Sequence, residues 1–100
     1  MDKYTVSLYP RALQDLNEIY SYIAENLHVP DIASSMVKNL EKAILSLDQM
    51  PERGSIRQVG SYGTGKYRQL FVKNYVIIYR DYKKKRQVHI VTVRYVARNF

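Results

Sequence analysis

The apolar period of this chain changes once, and that change limits the folds open to it. Between Leu13 and Leu47 the apolar residues recur at three- and four-residue intervals, the repeat of a helix with one buried side. Between Tyr67 and Tyr95 they gather into runs of strand length separated by short polar turns. Helices followed by strands point to the α+β class, in which helices lie against one side of a mainly antiparallel sheet.

Local signals fill in this outline. Tyr4, Val6 and Leu8 alternate with Thr5 and Ser7, which predicts a strand from about Lys3 to Leu8. Pro10 suits a first helical turn, where its missing N–H is no loss, and Leu13, Leu16, Ile19, Tyr20, Ile23 and Leu27 mark one helix face. Arg11, Asp15, Glu18 and Glu25 fall on its wet side, and Tyr20 and Tyr22 read as packing residues. The stretch ENLHVPD interrupts the pattern because the residue before a proline avoids helical backbone. Ile32, Met36, Leu40, Ile44 and Leu47 form a second stripe that stops near Met50, ahead of Pro51. So short a link implies an antiparallel helical hairpin.

All four glycines fall in PERGSIRQVGSYGTGK, residues 51–66, which reads as an irregular, mobile connection. Strands follow over 67–72, 75–82 and 88–95, joined by the turn Lys73-Asn74 and by YKKKRQ. Asn74 is the residue there that tolerates positive φ. The last two strands are apolar at both parities, so both of their faces should be partly covered. The expected architecture is an N-terminal strand and an antiparallel helical hairpin packed on a sheet completed by three C-terminal strands. The hairpin covers one face and leaves the other as the working surface.

One hundred residues support one core, so residues 1–100 form a single domain. No apolar run approaches the roughly 20 residues of a membrane span, and MDKYTVSL lacks the apolar stretch of a secretory signal. Without cysteine there is neither a disulfide framework nor a thiolate zinc site, which suits a reducing cytoplasm. No membrane partner and no cofactor are expected. Charge is lopsided: residues 1–50 hold four Lys/Arg against seven Asp/Glu, and residues 51–100 hold twelve against two. The halves thus carry −3 and +10, which favours polyanions or acidic protein segments as partners of the second half.

Familiar catalytic motifs are absent. There is no G-x-S-x-G, and His28 and His89 lie far apart without clustered carboxylates, so neither a nucleophile nor a metal site is expected. GTG at 63–65 before Lys66 lacks phosphate-loop spacing and reads as a loop. Lys83, Lys84, Lys85 and Arg86 read as a solvated hairpin tip. Tyrosines on the strands either stack against a base or form cross-strand pairs. The most informative residues are Arg68, Arg80, Arg94 and Arg98, set in or beside strands. Each guanidinium there needs an anionic or carbonyl partner, and the second half offers only Glu52 and Asp81. The remaining choices are helix carboxylates such as Asp15 or Glu18, or another molecule.

YPRALQDLNEIYSYIAEN, MPERGS after the second helix, YRQLFVKNYVIIYR and VHIVTVRYVARNF occur in the order of the conserved blocks of RelE/ParE superfamily toxins, which the chain resembles over nearly its whole length. RelE-like members cut mRNA on the ribosome, and that branch carries Arg at the positions of Val76 and Val96. ParE-like members inhibit DNA gyrase by binding, and this chain shares with them Arg68, Arg80 and Arg98. Tyr95-Val96 and Asn99 depart from the usual His-Gly and Asp of the tail. The resemblance implies a toxin of the ParE-like branch, with gyrase as target, a cognate antitoxin as partner and a hetero-oligomeric complex. Arg68, Arg80, Arg94, Tyr95 and Arg98 are the implied binding residues. The alternative is a RelE-like mRNA endonuclease acting with the ribosome, in which Lys66, Arg68, His89, Arg94 and Arg98 would supply the chemistry.

Overall fold

The computed structural model describes residues 3–96. Their elements run β1 (Thr5–Leu8), α1 (Pro10–Ser21), a π-helical turn (Tyr22–Asn26), α2 (Pro30–Ser46), β2 (Ser55–Ile56), β3 (Arg68–Val72), β4 (Tyr75–Tyr82) and β5 (Gln87–Tyr95). The two helices pack on a five-stranded mixed sheet of order β1-β5-β4-β3-β2. β3, β4 and β5 form the expected antiparallel meander, while β1 joins β5 in parallel, Val6 opposite Val88 and Leu8 opposite Ile90.

Both helices begin at a proline in the first turn, Pro10 and Pro30. From α1, Ala12 and Leu16 reach the core; from α2 come Leu40, Ala43 and Ile44, followed by Leu47. They meet Tyr75, Ile77 and Tyr79 of β4 and Val88, Ile90 and Val93 of β5. Alternation along β4 turns Val76, Ile78, Arg80 and Tyr82 to the opposite face. Val76 and Ile78 are buried there too, as two-sided apolarity anticipated.

Several expectations need correction. Asp15 is not on a wet face but buried, because β1 ends at Leu8 and α1 takes over beside the open edge of β5. Its Oδ2 accepts hydrogen bonds from the Thr92 hydroxyl and, at 3.0 Å, from the Val93 N–H, while Arg11 Nε lies 3.2 Å from Oδ1. Leu13, Leu27 and Ile32 of the helical stripes are exposed, as are Tyr20 and Tyr22. In the Lys73-Asn74 turn, positive φ falls on Lys73, at 54°. The connection after Pro51 is irregular but tied: it pairs β2 with β3, and Arg57 reaches the Ser61 carbonyl at 2.6 Å and Gln69 at 2.9 Å. No helix among the described residues is long and apolar enough to cross a membrane.

Candidate functional site

Two surfaces concentrate exposed chemistry. The first is a groove of about 960 Å³ where the tip of the helical hairpin overhangs the end of β4 and β5. The turn from α1 opens it: Leu27 donates to the Tyr22 carbonyl at 3.1 Å, five residues back, and Val29 to that of Ile23. His28 then takes φ 58°, so the chain reverses before Pro30. This leaves Tyr22, Leu27 and Ile32 more than half exposed along one wall, opposite Tyr75 and Tyr95. Tyr95 is 67% exposed and meets Tyr75 edge-on at 5.8 Å. Large apolar side chains left exposed side by side favour burial against another chain.

The second surface is the sheet face turned away from the helices. Arg80 lies there in register with His89 and has Tyr82 4.8 Å and Tyr67 5.9 Å from its guanidinium carbon. Arg94 lies 5.3 Å from the ring of Tyr62, which the 57–67 connection brings back over the sheet. Tyr9 Oη and His89 Nδ1 are hydrogen-bonded at 3.2 Å. Burial, and then the neighbouring Tyr82, push the Tyr9 phenol above the usual tyrosine range, so it stays protonated at neutral pH.

The four arginines singled out in the sequence have different fates. Arg68 does not await a visitor: its Nε pairs with Asp81 at 3.2 Å and its Nη1 donates to the Gly54 carbonyl at 2.8 Å, on the helix side of the sheet. Glu52, the other acid of the second half, lies 2.7 Å from Lys83. The hydrogen bond from Lys83 holds the Glu52 carboxyl below its ordinary range, and Glu52 holds the ammonium above its own. Helix carboxylates do not reach the strands' guanidinia either, since Asp15 serves Arg11 and β5 and Glu18 accepts from Gln14. Arg80 and Arg94 therefore have aromatic rings but no carboxylate among the described residues. Arg98 lies outside the described residues.

Of the remaining residues, Tyr95 borders the groove, while Lys66 is exposed in the connection. Lys66, Arg68 and His89 thus fall in three places, with Arg68 on the other face from His89. Sequence reasoning includes Tyr82 among the strand tyrosines but misses Tyr62 and takes Asp15 for a solvated acid. Only the folded connection carries Tyr62 to Arg94. Among the described residues, no three His, Asp or Glu side chains are grouped closely enough to hold a metal ion.

The family model for the ParE toxin of the type II toxin–antitoxin system parDE matches residues 6–100. No curated protein matches the sequence. Among solved structures, the chain is similar to one from the chromosomal ParDE toxin–antitoxin system of P. aeruginosa, with TM-score 0.79 and 18% identity, over 97% of this chain and 100% of that one. It is also similar to a chain of the RelBE2 toxin–antitoxin complex of Mycobacterium tuberculosis, with TM-score 0.66 and 21% identity, over 98% and 97%. The isolated E. coli RelE toxin superposes with TM-score 0.62 and 18% identity, over 96% of this chain and 87% of that one. These likenesses establish the fold shared by the RelE/ParE superfamily, and the match along almost the whole sequence makes the chain a member of the ParE toxin family of type II toxin–antitoxin systems.

Proposed function

We propose that this toxin acts in the cytoplasm by binding DNA gyrase and halting growth, and that a cognate antitoxin neutralises it in a hetero-oligomeric complex. The observation that carries the choice of target is Val76. The ribonuclease branch has an arginine at this position; here the side chain is apolar and 2% exposed, closed in between Phe71 and Arg94 of the flanking strands. Val96 stands at the second such position, with its N–H bonded to the Asn74 carbonyl at 2.7 Å. Neither valine side chain can hold a phosphate or move a proton, so phosphoryl-transfer chemistry of that design lacks its cations. Binding needs only presented groups, and Arg80, Arg94 and Tyr95 are presented.

Purified gyrase supplies the test. Supercoiling should fall as toxin is added, and primer extension on ribosome-bound mRNA should show no new cuts. Cuts within codons, with supercoiling intact, would reverse the assignment.

For the antitoxin, the groove beside the π turn offers what an amphipathic helix needs: an apolar floor with Arg11 at its rim for an acidic side chain. Leu27→Glu and Ile32→Glu alter residues already in water, so thermal stability should be nearly unchanged. Antitoxin affinity measured by calorimetry should drop at least tenfold, since a charge would be buried without a partner.

A further inference from the structure

Across the sheet face opposite the helices, rings and cations follow one another without a break. Tyr9 packs on His89 at 5.5 Å and His89 on Tyr82 at 4.8 Å. Arg80 lies over both Tyr82 and Tyr67, Tyr67 meets Tyr62 edge-on at 5.1 Å, and Arg94 lies over Tyr62. Every member is half-buried or exposed, and none is closed into the core. No carboxylate of the described residues joins the series, because both acids of the second half are engaged by Arg68 and Lys83.

A guanidinium stacked on a ring has its plane already ordered and keeps its in-plane N–H groups available to an oxygen anion. Half-exposed tyrosines add π faces on which flat groups can stack. A ligand that uses both must repeat an anion and an unpaired planar ring along one chain. An acidic peptide would use the guanidinia and leave the rings idle; a duplex keeps its base faces covered. We propose that this face binds single-stranded nucleic acid, with phosphates on Arg80 and Arg94 and bases against Tyr82, Tyr67 and Tyr62. Stacking and phosphate contacts are common to both sugars, so DNA and RNA bind alike, without cleavage. The binding is independent of the gyrase reading.

Fluorescence anisotropy of labelled oligo-dT and oligo-rU with the purified full chain, gyrase and ribosomes absent, tests it separately from that reading. Both strands should bind, a duplex of equal length more weakly, and affinity should fall with salt. Arg80→Ala should lower the salt slope by about one, whereas Arg80→Lys should keep the slope and weaken binding. Tyr82→Leu should cost about tenfold with either oligonucleotide and leave heparin binding intact. Circular dichroism checks the fold, and Tyr62→Leu, in the connection rather than a strand, repeats the test should Tyr82→Leu unfold. Indifference of binding to both tyrosine changes would reduce the face to a non-specific cationic surface. Preference for polyglutamate over the oligonucleotides, or no binding at all, would equally overturn the proposal.

Discussion

At the residue scale, identical side chains do opposite work. Arg68 and Arg80 are strand arginines of one sheet, yet Arg68 closes a half-buried pair with Asp81 while Arg80 rests on tyrosine rings. Arg68→Ala would strand Asp81 and the Gly54 carbonyl, and chemical denaturation should register a loss of roughly 2 kcal/mol or more. Arg80→Ala should cost about 0.5–1 kcal/mol, the value of a cation–π contact near the surface. Tyr79 is a second fixed point: fully buried, it accepts from the Gly54 N–H and donates to the Pro51 carbonyl, both at 2.8 Å. Burial raises its pKa above the ordinary 10.0. The folded protein therefore keeps a proton that the unfolded chain releases, so this contribution is complete below pH 10 and declines as pH rises further. Denaturation midpoints measured from pH 8 to 11 should be level at first and then fall, and Tyr79→Phe, though less stable, should flatten the decline.

At the scale of elements, one carboxylate docks α1 to the sheet. Where β1 ends, the β5 edge would present the Val93 N–H and Thr92 hydroxyl to apolar surroundings; Asp15 accepts from both. Asp15→Ala leaves two buried donors unsatisfied and should destabilise the fold by about 2–4 kcal/mol, read from urea titration. Asp15→Asn keeps an acceptor oxygen and should lose less. The i, i+3, i+4 pattern of α1 located the helix but not this contact, because a carboxylate at position 15 looks like any solvated acid until β5 is placed beside it. Likewise Leu27 and Ile32 carry the helical period, and only the length of the hairpin relative to the sheet leaves them uncovered.

For the whole molecule, the lopsided charge becomes a geometric fact. Of the two acids of the second half, Asp81 is taken by Arg68 on the helix side and Glu52 by Lys83 at the hairpin tip, so neither reaches Arg80 or Arg94 on the face beyond. That is why a long-range property of composition ends as a directional surface. The class of fold, the strands from Tyr67 to Tyr95 and the family are legible in the order of residues, since periodicity, prolines and ordered motifs are local and survive without neighbours. Tertiary structure alone decided that β1 lies parallel to β5, that Asp15 is buried, that Arg68 is internal and that Tyr62 meets Arg94. Each of these joins residues far apart along the chain, and the free energy of such a contact depends on which groups packing brings within a few ångströms.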